Sequence, residues 1–135
     1  MLTSRLLYKG ELRTELVHEK SGNKIYTDAP TDNHGKGQAF SPTDLLATSL
    51  ASCMLTVMGI KANQLSINLE GSSATVVKTM ASNPRRVAEI NVELNLPNSL
   101  EPKHKTILER TALECPVAKS LSNELIQRVK FNYTN

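Results

Sequence analysis

Apolar and polar residues alternate along the first part of the chain, which is typical of β-strands. This alternation predicts strands over residues 3–9, 11–19 and 24–27. The breaks between them, at residues 9–10 and 21–23, carry residue types that favour turns. The N-terminal part of the chain is therefore predicted to form a three-stranded meander.

A long apolar helix is predicted after a loop over residues 28–40, which is rich in turn residues. Ser41 is a suitable N-cap, Pro42 suits the first helical position, and Asp44 follows the cap by three residues. This is a capping box with Asp in place of Glu or Gln. The helix is predicted to run to about Ala62, with apolar residues around nearly its whole circumference. We therefore expect a long central helix that is buried on every side, between a sheet and a partner subunit.

The second half of the chain combines strands with helices. The predicted elements are strands over 65–80 and 87–96, helices over 100–114 and from residue 116 onward, and a final strand over 129–133. Strands stand both before and after the helices, and we expect hairpins rather than crossovers to join them. This order predicts an α+β fold with a mainly antiparallel sheet.

The composition narrows the classes of protein to consider. A length of 135 residues suits one domain, so we expect a single domain over 1–135. The net charge is +3 and the basic residues are scattered, so no nucleic-acid partner is expected. The start lacks a secretory signal pattern. The longest apolar stretch, residues 45–60, contains hydroxyl side chains and is short for a membrane span, so we expect a cytoplasmic protein without membrane contact.

The two cysteines, Cys53 and Cys115, are the residues most able to carry out chemistry in this sequence. They are too few for a four-thiolate zinc site, and no metal is expected. Cys53 lies inside the apolar helix and is expected to be inert unless another element brings a cation, for which arginine is best suited. Cys115 precedes Pro116 and is predicted to cap a helix, where backbone N–H groups favour the thiolate. On spacing and environment alone, two packed, inert cysteines are favoured over a catalytic pair.

Two motifs resemble those of the OsmC/Ohr family. The segment SPTDLLATSLASCM, from Ser41 to Met54, resembles the central-helix motif, in which a Ser/Asn-Pro pair opens a long helix that leads to a reactive cysteine. The segment ECPVAK, from Glu114 to Lys119, resembles the family's second cysteine motif. Their order and interval match as well, so the resemblance covers nearly the whole chain. It implies an OsmC-like fold and an intertwined homodimer with active sites at the subunit interface.

The resemblance also implies an enzymatic activity, the thiol-dependent reduction of organic hydroperoxides and, in part of the family, of hydrogen peroxide. Cys53 would be the peroxidatic cysteine and Cys115 the resolving one. The resulting disulfide would be reset by an external dithiol such as a lipoyl group, with no cofactor. The family holds its thiolate with an arginine from an N-terminal strand. Arg13 is the best match for it here, and Arg5 is a weaker one.

One departure from the family pattern concerns the acid that pairs with this arginine. Many active members carry Glu directly after the helix-opening Pro, whereas this chain has Thr43 there and Asp44 one place later. One step along a helix turns a side chain by about 100°, so Asp44 either supports Arg13 or serves only the capping box. Phe40 is either a hydrophobic staple or part of the peroxide pocket. The alternative function is a small-molecule binding or stress-response protein of the same fold, with little peroxidase activity.

Overall fold

The computed structural model describes residues 1–134, which form an α+β fold as the sequence predicts. The strands are β1 (Ser4–Gly10), β2 (Arg13–His18), β3 (Lys24–Asp28), β4 (Ser73–Ala81), β5 (Arg86–Pro97) and β6 (Ile126–Thr134). The helices are α1 (Pro42–Gln64), α2 (Pro102–Leu113) and α3 (Pro116–Ser120). The chain divides into two compact units, Met1–Leu46 and the part from Ala47 onward.

The first unit contains the predicted meander, with strand order β1-β2-β3 and antiparallel pairing throughout. Its β2–β3 register sets Arg13 directly opposite Asp28. Large apolar side chains of the outer strands remain exposed, among them Leu6, Tyr8 and Ile25. This small sheet therefore carries apolar surface that the chain does not bury.

The second unit contains the hydrophobic core. Its sheet has the order β4-β5-β6, with β4 antiparallel to β5. The buried apolar residues come mainly from α1 (Ala47, Leu50, Ala51, Met54, Met58, Ala62), β5 (Val87, Ile90, Val92, Leu94, Leu96) and the helical region (Leu108, Ala112, Cys115). The predicted alternation along β5 is confirmed. Full burial of one such large side chain stabilises the fold by about 1.5–3 kcal/mol.

Within residues 1–134, three of the four strand pairings are antiparallel, as predicted, but β6 lies parallel to β5, so the expectation of hairpins rather than crossovers is wrong here. A parallel neighbour needs a crossover connection, and α2 and α3 lie within that connection. The helix predicted from residue 116 is also shorter than expected, and β6 begins at Ile126, three residues earlier than predicted. The backbone pairing of Glu89 with Ile126 extends the sheet over residues that have helical periodicity in the sequence.

The predicted strand over 65–80 begins only at Ser73. The preceding residues close the end of α1 instead, since the N–H of Leu65 donates to the carbonyl of Lys61 and the N–H of Ile67 to that of Ala62. Ser66, between them, has a left-handed backbone with φ of 58°. These N–H groups are used by the helix end and cannot join a sheet ladder.

Helix α1 has the predicted start and extends two residues beyond the predicted end. Its buried residues recur at three- or four-residue spacing, which is the pattern of one covered face. Val57 is half-buried and Ile60 is exposed, so burial on every side is not observed in the single chain. By length and composition alone α1 could cross a membrane, but core helices of soluble proteins pass the same test.

Candidate functional site

Cys115 lies at the N-cap of α3, and Pro116 occupies the first helical turn, as predicted. The backbone N–H of Ala118 donates to Cys115 Sγ over 3.4 Å. Cys115 is only 1% exposed. Burial is the largest influence on this thiol and raises its pKa, while the N–H of Ala118 acts in the opposite direction.

The N–H groups at the N-cap lower the pKa of Cys115, as expected, but burial outweighs them and the net shift is upward. Helix α3 has only five residues, so few aligned peptide dipoles act on the sulfur. Removal from water disfavours the charged form, and this effect outweighs the N–H donors. In the resting protein, Cys115 is a buried, protonated thiol.

Cys53 lies about three turns into α1 and is half-buried at the margin of the core. Its side chain packs against the core cluster that contains Cys115, and its proximity also raises the pKa of Cys115. Both cysteines are free thiols. The second unit thus brings the two predicted redox residues into contact, which the sequence could not establish. An oxidised sulfur on either residue would lie beside a thiol able to condense with it.

Arg13, the predicted thiolate-holding residue, forms a two-pronged salt bridge with Asp28. Arg13 Nε lies 2.7 Å from Asp28 Oδ1, and Arg13 Nη2 lies 2.8 Å from Asp28 Oδ2. The side chain of Asp28 is 1% exposed and that of Arg13 is 33% exposed. The Arg13 guanidinium holds the pKa of Asp28 below its usual value, and Asp28 in turn raises the pKa of Arg13.

The loop before α1 closes over this salt bridge. The backbone N–H of Gln38 donates to Asp28 Oδ2 over 3.1 Å, and Arg13 Nη2 donates to the side-chain oxygen of Gln38 over 3.4 Å. The N–H of Asp28 donates to the carbonyl of Phe40 over 3.1 Å. Any Cβ added at Gly35 would collide with the carbonyl of Ala29, so only glycine fits that position. The loop therefore has a defined path around the arginine.

The carboxylate of Asp44 completes the predicted capping box. The N–H of Ser41 donates to Asp44 Oδ2 over 3.0 Å, and the N–H of Asp44 donates to Ser41 Oγ over 3.1 Å. Thr43 Oγ1 lies 3.3 Å from Ser41 Oγ, and Phe40 is exposed. The catalytic roles considered for Thr43, Asp44 and Phe40 stay predictions.

Sequence reasoning missed Asp28 as the acid beside Arg13. The available signal was the meander itself, because an antiparallel β2–β3 pairing joins the start of β2 to the end of β3, where Asp28 stands. Arg5, the weaker candidate, forms a similar two-pronged salt bridge with Glu19, but the two side chains are 65% and 34% exposed.

Within residues 1–134, no group of three or more His, Cys, Asp or Glu side chains could hold a metal ion.

A surface groove of about 340 Å³ runs beside α3. Its wall includes Ala118, whose N–H bonds Cys115 Sγ, together with Leu121 and Gln127. A larger groove of about 600 Å³ lies at the end of α1, and neither cysteine lines it. Neither cysteine lines the smaller groove.

The family model for OsmC-like proteins matches residues 35–129. The chain belongs to the OsmC-like family. The match includes both cysteines, the capping box of α1 and the whole of α2 and α3. No match was found among curated protein sequences.

Solved structures agree with this assignment to the OsmC-like family. A protein from Psychrobacter arcticus 273-4, provisionally named an osmotic stress induced and detoxification response protein, is 52% identical, with a TM-score of 0.95 over 98% of this chain and 96% of that one. The organic hydroperoxide resistance protein OsmC from Legionella pneumophila is 21% identical, with a TM-score of 0.71 over 98% of each chain. An organic hydroperoxide resistance protein from Elizabethkingia anophelis is 12% identical, with a TM-score of 0.76 over 99% and 98% of the two chains. The last two likenesses concern the fold.

Proposed function

We propose that this OsmC-like protein is a thiol-dependent peroxidase that reduces organic hydroperoxides. The observation that carries the proposal is the proximity of the side chains of Cys53 and Cys115 in the core of the second unit. The names of the Legionella and Elizabethkingia proteins, which share the fold, support organic hydroperoxides as the substrate class.

The two thiols have different environments, and this difference supports different roles. Cys115 is sealed from solvent and its pKa is raised by burial, so it is poorly suited to attack a peroxide. Cys53 is half-buried and therefore the more accessible sulfur. We accordingly assign the first step to Cys53 and the second to Cys115.

The chemistry proceeds in three steps. The Cys53 thiolate attacks the terminal oxygen of ROOH, the O–O bond breaks, and the departing RO⁻ takes a proton from water to become ROH. The sulfur of Cys115 then displaces hydroxide from the Cys53 sulfenic acid, and the Cys115 proton leaves with it as water. An external dithiol, for instance a lipoyl-type one, reduces the resulting disulfide by thiol exchange and is itself oxidised to a disulfide. The same steps consume hydrogen peroxide when R is hydrogen.

Arg13 is the cation proposed to favour the Cys53 thiolate. A guanidinium stays charged when partly removed from water, and Arg13 is only 33% exposed. Asp44 and Thr43 are proposed to act indirectly, since they stabilise the start of the helix that carries Cys53. The exposed ring of Phe40 is proposed as an apolar wall for the R group of the peroxide.

We further propose a cytoplasmic homodimer of one OsmC-like domain per chain, with active sites at the subunit interface. Exposed apolar residues support it, since Leu6 and Tyr8 on β1 and Ile60 on α1 would be buried by a second copy. A partner over the open side of α1 would also produce the central helix buried on every side. Sedimentation or light scattering should report twice the mass of the 14.8 kDa chain.

The decisive experiment combines turnover with intact mass. Purified protein with a dithiol should consume cumene hydroperoxide, and Cys53→Ser should abolish this. One equivalent of hydroperoxide should lower the mass of the wild type by about 2 Da through disulfide formation, and neither Cys53→Ser nor Cys115→Ser should show that loss. Absence of both turnover and disulfide would refute the peroxidase and favour a binding protein of the same fold.

A further inference from the structure

We infer that Gln127 of β6 is a positioning residue, which holds α3 so that the N–H of Ala118 stays directed at Cys115 Sγ. The inference rests on the proposed peroxidase function, in which this sulfur carries negative charge while the Cys53–Cys115 disulfide is being reduced. All of these residues lie in the second compact unit. Gln127 lies outside both cysteine motifs, nine residues after Ala118.

Helix α3 is too short to hold its own shape. It has only five residues, whereas isolated helices below about 12–15 residues are marginal in water. Within it, the N–H of Lys119 donates to the carbonyl of Cys115 over 3.1 Å. Ser120 Oγ donates to the carbonyl of Pro116 over 2.7 Å, so a side chain occupies that backbone acceptor. The helix therefore depends on contacts from outside itself to keep its first turn in place.

Ala118 is held at both ends of its backbone. Its N–H donates to Cys115 Sγ over 3.4 Å, and its carbonyl accepts from Gln127 Nε2 over 3.1 Å. A carbonyl can only accept, so the amide of Gln127 directs its NH2 group toward α3. Gln127 lies opposite the fully buried Ile90 in the β5–β6 ladder. The sheet thus holds Ala118 in place, and with it the N–H that faces the sulfur of Cys115.

This N–H matters because the surroundings of Cys115 oppose a charged sulfur. Cys115 is only 1% exposed, and burial raises the pKa of its thiol, whereas the N–H groups of Ala118 and Val117 lower it. Bulk water has almost no access to a thiolate at this position. Its stabilisation therefore depends on these backbone donors, and their direction depends on where α3 lies.

Exposure determines which sulfur of the disulfide a reductant reaches. Cys53 is half-buried and Cys115 is sealed, so a dithiol attacks Cys53 Sγ. A new S–S bond forms between the dithiol and Cys53, the Cys53–Cys115 bond breaks, and its electron pair leaves with Cys115 Sγ as a thiolate. This thiolate takes a proton from water, and the second thiol of the reductant then displaces Cys53 and closes the oxidised dithiol. Exchange is faster when the leaving thiolate is stabilised, so the N–H of Ala118 should speed this step.

The test measures the reduction of a preformed disulfide in Gln127→Met, which keeps the length of the side chain and removes its donor. Diamide closes the disulfide without a hydroperoxide, and excess dithiothreitol opens it. We expect Gln127→Met to slow this reduction by about threefold to tenfold, the range of one hydrogen bond. A purely structural role predicts the opposite sign, because a loosened α3 would expose the disulfide and speed its reduction. Unchanged or faster reduction would overturn the inference.

Asn132→Leu is the matched control on the same strand. Asn132 is also a half-buried amide, and its Nδ2 donates to Asn95 Oδ1 over 3.3 Å, within the sheet. This variant should change the rate of reduction by less than about twofold. Gln127→Asn, whose amide is one methylene shorter, provides a second variant. It keeps a polar side chain and should slow reduction as Gln127→Met does.

Amide hydrogen exchange provides a measurement that does not depend on redox chemistry. In the reduced protein, Gln127→Met should speed exchange of the Ala118 N–H by at least about threefold, with a Tm near that of the wild type. Unchanged protection of Ala118 would show that Gln127 does not hold this N–H, and the inference would fail. If the wild-type protein consumes no hydroperoxide, the proposed function fails, while reduction of the diamide-formed disulfide still decides the role of Gln127.

Discussion

The thiol of Cys53 lies beside the thiol of Cys115, which caps the short helix α3. The contact joins a residue in the middle of the long helix to one at the start of the last helix. Burial keeps the Cys115 side of this pair protonated. In the proposed reaction, such an arrangement would keep the Cys115 thiol protonated until Cys53 has been oxidised.

The two cysteines should differ in their rates of alkylation. We expect iodoacetamide at pH 8 to label Cys53 at least roughly tenfold faster than Cys115, because a buried, protonated thiol is a poor nucleophile. Peptide mass spectrometry after timed quenching measures both rates in one sample. In urea, where burial is lost, the two rates should converge. Faster labelling of Cys115 in the native protein would contradict the assigned roles.

The stability of the protein at alkaline pH should reflect the raised pKa of Cys115. The unfolded chain releases this proton near pH 8.5, whereas the folded protein retains it to higher pH. The stabilising contribution is therefore complete below about pH 8.5 and is lost as the pH rises toward the folded pKa, at up to about 1.4 kcal/mol per pH unit. Urea unfolding between pH 7 and 10 should show a smaller decline for Cys115→Ala than for the wild type. Equal slopes would show that the folded thiol titrates normally.

The salt bridge of Asp28 predicts the opposite dependence in acid. Its pKa is lowered in the folded protein by Arg13, so its contribution is present above about pH 4 and is lost as the pH falls through the folded pKa. The difference in unfolding free energy between the wild type and Asp28→Asn should therefore shrink as the pH falls below about 4. A difference that stays constant down to pH 2 would mean that the pair does not lower this pKa.

Core packing along α1 gives a direct test of which face is covered. Leu50 is fully buried, so Leu50→Ala should lower the free energy of unfolding by about 2–5 kcal/mol. Thr56→Ala, on the exposed side of the same helix, should change it by less than about 0.5 kcal/mol. Chemical denaturation of both variants beside the wild type provides the comparison. A larger loss for Thr56→Ala than for Leu50→Ala would reverse the assignment of the buried face.

Features with a local physical cause were predictable from the sequence. The start of α1 follows from Ser41, Pro42 and Asp44, whose hydrogen bonds involve only near neighbours. The strand β5 follows from strict alternation, because its pleat turns successive side chains to opposite faces. The segment after α1 was misread, since the apolar alternation at 65–70 resembles a strand while its N–H groups close the helix.

The sequence by itself determined the α+β class, the capped long helix, the N-cap position of Cys115 and the motifs of the OsmC-like family, because each depends on residues close together in the chain. Only the tertiary structure decided the parallel pairing of β6 with β5, the contact of Cys53 with Cys115, and the choice of Asp28 as the acid beside Arg13. These last features depend on strand register and on which side chains are removed from water. Both are set by packing between distant segments, which local periodicity does not encode.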